Sequence, residues 1–197
     1  VRAIVERSHE VAFHGYRHNA LATLGPAAFA AELREWIPRL EDLAQSPVRG
    51  YRAPCFSIAP ETAWALRVLA RSPIDYDSSL YPGLHPSYGW RGAPTQPVHL
   101  VGADLRLFPT PLLSRWLPIG FSGGRWLSTL PPAVVFWGLA RQRAAGHAGM
   151  VYLHPWQVAD QRERVGRLLG KLRTLFRPMS DVLASMSVLP EWDPGLP

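Results

Sequence analysis

Two histidines lie four residues apart in the segment H-E-V-A-F-H-G-Y-R-H, which spans residues 9–18. Apolar and polar residues alternate before His14, which predicts a short strand, and Gly15 predicts that this strand ends in a turn. His14 and His18 would face each other there, as in the helical His-x-x-x-His pairs that bind zinc. A catalytic zinc usually has three protein ligands and a water, so the pair is half of a metal site. The alternative is that one histidine caps a strand end and the other is solvated.

Three other chemically capable side chains also follow short predicted strands. Arg52 begins R-A-P-C-F-S, Asp77 begins D-S-S-L-Y-P and His154 begins H-P-W. Active sites of α/β barrels are built at the carboxyl ends of several strands, so these positions indicate an enzyme in which Asp77 orients a histidine or an arginine. Each position has a plainer alternative: a surface arginine before a turn, an Asx-turn at Asp77, or a buried histidine that closes a strand.

The elements that must position these residues alternate along the chain. Apolar residues at helical spacing predict a helix over 26–44. The repeated order of strand, loop and helix predicts an α/β protein with parallel strands and right-handed crossovers. A chain of 197 residues suits one domain with a sizeable core, which we assign to residues 1–189. The Pro-rich residues 190–197 are expected to form a loose tail.

Composition excludes several classes of protein. Hydrophobic residues make up 47% and charged residues 18% of the chain, which is typical of a folded globular domain. The net charge of +6 comes almost wholly from arginines that are spread along the chain, and Lys171 is the only lysine. Because no basic run or nucleic-acid-binding motif occurs, we predict no nucleic-acid partner. One cysteine, Cys55, excludes an internal disulfide, and no transmembrane segment is predicted in this chain.

Four motifs occur in a fixed order: H-G-Y-R-H, G-Y-R-A-P-C-F-S, Y-D-S-S-L-Y-P and Y-L-H-P-W. Together they resemble the NodB-homology polysaccharide deacetylases of carbohydrate esterase family 4, and within them the subgroup found with exopolysaccharide and exosortase loci. The similarity covers about residues 6–183. It implies a distorted (β/α) barrel, incomplete at its N-terminus in this chain, with one divalent metal, most often zinc. It also implies a hydrolase that removes N-acetyl groups from N-acetylhexosamine units of a bacterial polysaccharide or oligosaccharide.

The resemblance implies a role for each cluster. His14 and His18 match the metal-binding pair, which in the family is joined by an Asp from an earlier Asp-Asp motif. Arg52 matches the arginine that holds the catalytic carboxylate by a charge-assisted hydrogen bond. His154 matches the general acid that protonates the departing amine.

No segment like T-F-D-D-G occurs in this chain, and the sequence enters helix-like residues directly at Val1. We therefore expect that the first strand, the base and the third metal ligand are missing from it, and that the chain alone is nearly inactive. Any signal peptide would lie in the missing part, so a bacterial cytoplasmic or cell-envelope location stays open, as does the oligomeric state.

Residues near the motifs are candidates for substrate contact. Pro54 fixes a turn, and the backbone N–H of Cys55 is a candidate oxyanion donor, while its thiol is expected to be packed and to have no nucleophilic role. Tyr81 and Trp156 are predicted to stack on sugar faces. His85, in a long loop rich in glycine and proline, is predicted to touch substrate.

Two other functions stay open. The chain is alternatively a non-catalytic carbohydrate-binding or scaffold protein that descends from the deacetylases and has lost the aspartates. A third option keeps the fold and changes the substrate to an amide or a cyclic imide. The DNA upstream of Val1 would distinguish the enzyme from the non-catalytic protein. An in-frame T-F-D-D-like segment favours the enzyme, and a genuine start codon favours the scaffold. Substrate profiling would distinguish the deacetylase from an amide or cyclic-imide hydrolase.

Overall fold

A computed structural model describes residues 1–85, 88–114, 116–186 and 188–195. The chain divides into two compact units, one formed by Val1–Thr110 with Pro178–Pro197 and the other by Pro111–Arg177. This division differs from the single domain predicted for residues 1–189. The physical reason is that the second unit has an apolar cluster of its own, built around Leu127, Val135, Leu168 and Leu172.

Helices make up most of the regular structure of both units in the part of the chain that the structure describes. The first unit contains α1 (Arg2–Val5), α2 (Gly25–Ala44), α3 (Trp64–Ala70) and α8 (Met179–Ala184), with 3-10 turns at Leu21–Thr23, Pro54–Phe56 and Pro60–Thr62. The second unit contains α4 (Gly124–Thr129), α5 (Pro132–Ala144), α6 (Pro155–Asp160) and α7 (Arg162–Leu172).

The helix predicted over 26–44 is confirmed as α2. Phe29, Leu33 and Ile37 are buried at intervals of four residues, so they form one apolar stripe that faces the core. The helix ends where Gln45 adopts a left-handed conformation with φ of 53°, a common helix terminus.

Five short strands form one sheet in the first unit: β1 (Gly50–Tyr51), β2 (Tyr76–Asp77), β3 (Val98–Leu100), β4 (Arg106–Leu107) and β5 (Glu191–Trp192). Their order is β1-β2-β4-β3-β5. Strands β1, β2 and β4 are parallel, as predicted, whereas β3 is antiparallel to β4 because only a short turn connects them. The α/β class is confirmed, and these five strands do not close into a barrel.

The prediction of a loose tail over 190–197 is wrong for its first part. Strand β5 pairs in parallel with β3, and the Trp192 ring packs against Trp90 with ring centroids 5.1 Å apart. An apolar partner in a distant loop therefore orders this segment. Residues 196 and 197 lie outside the described residues.

The core of the first unit lies between the sheet and helices α2 and α3, and its largest fully buried side chains include Phe29, Tyr51, Leu66, Leu105 and Leu107. This packing fixes the sheet edge at which β1 and β2 end side by side, with Tyr51 opposite Asp77. Among the described helices, none combines the length and the apolar character that crossing a membrane requires.

Candidate functional site

The first three predicted clusters meet at one sheet edge. Phe13 forms a single parallel bridge to Tyr51, so His14 and Arg52 follow at the same end of adjacent segments. The ring nitrogen Nδ1 of His14 lies 2.7 Å from the backbone oxygen of Arg52. Arg52 in turn donates from Nε to the Ser78 backbone oxygen at 2.9 Å and from Nη2 to the Ser78 hydroxyl at 2.8 Å. Main-chain pairing thus brings together residues that are far apart in sequence.

The histidine pair has the geometry that two ligands of one metal ion need. The ring centroids of His14 and His18 are 5.0 Å apart, with the rings 79° from coplanar. Two imidazoles bound to one tetrahedral zinc at Zn–N distances of about 2.0–2.1 Å would place their centroids about 5 Å apart. Since a carbonyl oxygen only accepts, His14 donates from Nδ1 to Arg52, an orienting bond typical of metal-binding histidines that coordinate through Nε2.

The fit to a divalent metal is partial. No group of three or more histidine, cysteine, aspartate or glutamate side chains that could hold a metal ion occurs among the described residues. His14 and His18 therefore match two ligand positions, and a third ligand has to come from elsewhere. Zinc stays a prediction.

The loop between the two histidines has an unusual backbone. Gly15 has φ of +75°, and a Cβ added there would lie 3.1 Å from Cγ of Pro54, which is tighter than ordinary contact. His18 also has a left-handed backbone, with φ of 55°, which costs a non-glycine residue about 1–2 kcal/mol. The predicted turn at Gly15 is confirmed, and the buried Pro54 ring packs next to it.

Helix α2 braces this loop through two residues that the sequence analysis missed. The Glu32 carboxylate accepts a hydrogen bond from the backbone N–H of Tyr16 at 2.5 Å. The Tyr16 ring stacks on Trp36, with centroids 3.4 Å apart and planes 10° apart. Glu32 and Trp36 follow Phe29 by three and seven residues, so they lie on the apolar stripe of α2. The carboxylate of Glu32 on an otherwise apolar stripe was the sequence feature that could have indicated this contact.

Arg52 is held firmly at the strand end. Besides its two hydrogen bonds to Ser78, the guanidinium carbon lies 5.8 Å from the centroid of the Phe56 ring. The Ser78 hydroxyl donates onward to the backbone oxygen of Phe108 at 3.0 Å. These contacts fix the side chain in place, and its role in holding a catalytic carboxylate stays a prediction.

Asp77 is fully buried and turns back on its own chain. One carboxylate oxygen accepts from the Ser79 backbone N–H at 2.9 Å and the other from the Ser79 hydroxyl, which is the Asx-turn alternative. Burial raises the pKa of Asp77 to about 7, although Ser79 and the nearby Arg52 charge act in the opposite direction. With 0% exposure, the carboxylate does not touch a substrate, and an orienting role stays a prediction.

The solvent exposure of two side chains near Pro54 differs from what was predicted for them. Tyr81 is 0% exposed and packs against Phe56 and Tyr88, so it cannot stack on a sugar. Cys55 is exposed, because the 3-10 turn at Pro54–Phe56 points Phe56 inward and leaves the thiol outside. Its backbone N–H stays a candidate oxyanion donor.

His85 is exposed, as a substrate-contacting residue would have to be. Its ring stacks on Tyr88, with centroids 3.5 Å apart and planes 16° apart. Partial burial lowers the pKa of His85. The predicted contact with substrate stays a prediction.

In the second unit, His154 is half-buried directly before α6. Its Nδ1 lies 2.9 Å from Oε1 of Gln157, and its backbone N–H donates to the same oxygen at 3.0 Å. Trp156 is 59% exposed and stacks on the His154 ring at 4.2 Å between centroids. Gln157 was missed, although a glutamine three residues after a helix-capping position is a capping-box signal.

A cleft of about 410 Å³ opens beside His154. It is lined by Trp156 and by polar side chains of Arg125, Ser128, Gln157 and Asp160. An aromatic wall with a few polar groups is typical of a small-molecule site. The surroundings of Trp156 therefore match the predicted contact with a sugar face, which stays a prediction.

Two family models match the chain. Residues 1–72 match the model described as polysaccharide deacetylase, and residues 78–183 match the model described as a domain of unknown function, DUF3473. The resemblance predicted from the motifs is therefore confirmed for the part that contains His14, His18 and Arg52. His154 lies in the part matched by the DUF3473 model. No curated protein matches the chain in sequence.

Solved structures share the fold at low identity. A protein from Mycobacterium smegmatis classed as a polysaccharide deacetylase is 21% identical, with a TM-score of 0.65 over 93% of this chain and 64% of its own. The 4-alpha-glucanotransferase from Thermococcus litoralis is 14% identical, with a TM-score of 0.64 over 98% of this chain and 31% of its own. Wild-type BA3943, a CE4 family pseudoenzyme from Bacillus anthracis, is 15% identical, with a TM-score of 0.50 over 98% and 53%. The chain thus spans less than two thirds of each of these proteins.

Proposed function

We propose that this chain, which belongs to the DUF3473 family, is part of a metal-dependent hydrolase that removes N-acetyl groups from N-acetylhexosamine units of a bacterial polysaccharide. One observation carries the proposal: His14 and His18 face each other with ring centroids 5.0 Å apart. They lie within the residues that match the polysaccharide deacetylase model. The motif resemblance further favours exopolysaccharide as the polymer.

The residues of the pair suit a divalent ion, for which we propose zinc. When bound, such an ion polarises the acetamide carbonyl and lowers the pKa of its water toward 7. His14 and His18 would hold it through imidazole nitrogens, with His14 oriented by its bond to the Arg52 backbone oxygen. The proposal requires a third ligand and a carboxylate base, which the motif resemblance assigns to an Asp-Asp segment that these 197 residues do not contain.

The other residues have separate tasks. Arg52 binds the carboxylate base through its guanidinium, and the Cys55 backbone N–H donates to the oxygen that becomes negative as water attacks the carbonyl carbon. His154 gives a proton to the amide nitrogen as the carbon–nitrogen bond breaks. Water supplies the oxygen of the acetate, and the sugar keeps a free amine.

The test measures metal binding and acetate release by the full encoded protein on N-acetylglucosamine oligomers. We expect acetate and free amine in equal amounts, loss of turnover with a chelator, and recovery with zinc. His14→Ala is expected to abolish both zinc binding and turnover. His9→Ala, an exposed histidine outside the pair, is the matched control and is expected to change neither. Zinc binding that survives His14→Ala and His18→Ala would overturn the proposal.

A second candidate is a carbohydrate-binding or scaffold protein without catalysis. It is favoured by the incomplete ligand set of the described residues and by the fold shared with BA3943, which is described as a pseudoenzyme. This candidate predicts oligosaccharide binding that a chelator does not weaken, with no release of acetate by the full encoded protein. The enzyme predicts the opposite on both measurements.

A further inference from the structure

The side chain of Gln157 is surrounded by groups that fix which way its amide points. It is only 5% exposed. Its Nε2 donates to the backbone oxygen of Gly124 and to the hydroxyl of Ser128, both at 2.7 Å. Because the Gly124 oxygen can only accept, the NH₂ group must face it. The amide oxygen Oε1 therefore faces His154.

This orientation determines the proton position on the imidazole. Oε1 lies 2.9 Å from Nδ1 of His154 and accepts the His154 backbone N–H at 3.0 Å. An amide oxygen has no proton to give, so Nδ1 must carry one for the contact to be a hydrogen bond. In neutral His154 the lone pair is then on Nε2.

We infer that Gln157 is a positioning residue that holds His154 in the Nδ1–H tautomer, so that Nε2 is the atom which releases and regains the proton. The stacked Trp156 ring fixes the plane of the imidazole. The ionisable or charged groups near His154 include Tyr152, whose ring centroid is 6.0 Å away, and Arg125 and Asp160, which line the same cleft.

The tautomer of His154 does not depend on the proposed function, whereas the transfer of its proton to a substrate does. In the acid step the imidazolium gives the Nε2 proton to the amide nitrogen, and the Nε2 electron pair stays on the ring. The neutral product is the Nδ1–H tautomer that Gln157 stabilises. The amide oxygen therefore supports the histidine both before and after proton transfer, without changing its own orientation.

The decisive measurement is the tautomer of His154, determined by ¹⁵N NMR of the labelled 197-residue chain at a pH where the ring is neutral. We expect a protonated Nδ1 and an unprotonated Nε2 in the wild type. In Gln157→Met the new side chain has a similar length and no amide. This variant is expected to shift the ring to the Nε2–H form that predominates in free histidine. Gln157→Glu keeps an acceptor oxygen for Nδ1 but sets its second oxygen against the Gly124 backbone oxygen, so it is expected to retain the Nδ1–H form in a less stable protein.

Gln161→Leu is the control, because Gln161 lines the same cleft without a hydrogen bond to His154; it is expected to leave the tautomer unchanged. An Nε2–H ring in the wild type overturns the inference without any variant. So does an Nδ1–H ring in a folded Gln157→Met protein.

Turnover by the full encoded protein provides a second readout. Gln157→Met is expected to lower kcat about 10- to 100-fold with little change in KM, because an acid that can rotate or change tautomer loses part of its catalytic contribution. Gln157→Glu is expected to recover part of that loss. If no acetate is released by any variant, the proposed function fails while the NMR result still decides the role of Gln157.

Discussion

The histidine pair of the first unit and the single histidine of the second are held by different means. His14 is exposed and bonded to a backbone oxygen, and its partner His18 depends on a left-handed backbone. His154 is half-buried and bonded to the side chain of Gln157. The pair thus takes its geometry from the course of the main chain, whereas His154 takes its geometry from the side chains of Gln157 and Trp156.

This difference determines how each region can fail. No substitution of Arg52 removes its backbone oxygen, so the pair is sensitive to loss of a ligand or to changes in the loop. His154 is sensitive to substitution of neighbouring side chains, above all of Gln157. Substitutions in one region should therefore leave the measured property of the other unchanged.

The largest expected effect is loss of zinc binding in His18→Ala. Removing one of two imidazole ligands should weaken zinc affinity by at least about 100-fold, more than the 10- to 100-fold typical of losing an orienting neighbour. Titration against a competing chelator measures this. His154→Ala is the comparison variant and should leave zinc affinity unchanged. Equal losses in both variants would remove the distinction between the two regions.

The buried carboxylate of the first region should make stability depend on pH. The pKa of Asp77 is raised to about 7 in the folded protein from an ordinary value of 3.8, so the folded state binds the extra proton between these values. Stability from this group is therefore fully present below about pH 4 and falls as pH rises toward 7, by on the order of a few kcal/mol.

Asp77→Asn tests the sign, since asparagine does not ionise. Urea unfolding between pH 4.5 and 7.5 should show the variant becoming steadily more stable relative to wild type as pH rises. Asp75→Asn, at an exposed position two residues earlier, is the control and should give a constant difference. A constant difference for Asp77→Asn as well would contradict the prediction.

A smaller effect should follow from loosening the loop of the pair without touching a ligand. Glu32→Ala removes the acceptor of the Tyr16 backbone N–H and should weaken zinc binding about 10-fold. Glu35→Ala is matched to it on the same helix, because Glu35 forms an ion pair with exposed Arg39 at 2.9 Å. Exposed pairs of this kind contribute about 0.3–0.5 kcal/mol. If both variants bind zinc equally well, α2 does not brace the loop.

The same contrast explains what could be predicted from the sequence. Arg52 follows β1, Asp77 ends β2 and His14 follows the single bridge at Phe13. Parallel pairing brings such positions to one edge of the sheet. The apolar stripe of α2 was equally visible. The role of Gln157 was accessible too, because its partner is three residues away on the same helix end.

Contacts between distant segments were not predictable in this way. Tyr16 meets Glu32 across a loop, and β5 pairs with β3 although the two strands are more than 90 residues apart. Tyr81 packs against Phe56, which lies 25 residues earlier in the chain. Local periodicity carries no information about such partners, so they had to come from the structure.

The smallest expected effect concerns Trp156, and it tests a property of the second region alone. An exposed aromatic ring stacked on His154 would contribute about 0.5–1.5 kcal/mol to a stacked sugar ring, so Trp156→Ala should raise KM for oligosaccharide about 2- to 10-fold. Trp137→Ala is the control, since Trp137 is similarly exposed, at 55% against 59%, and lies on α5 of the same unit. Zinc affinity should stay unchanged in both variants. A KM that rises equally in both would show that Trp156 affects the fold of the second unit and not the sugar.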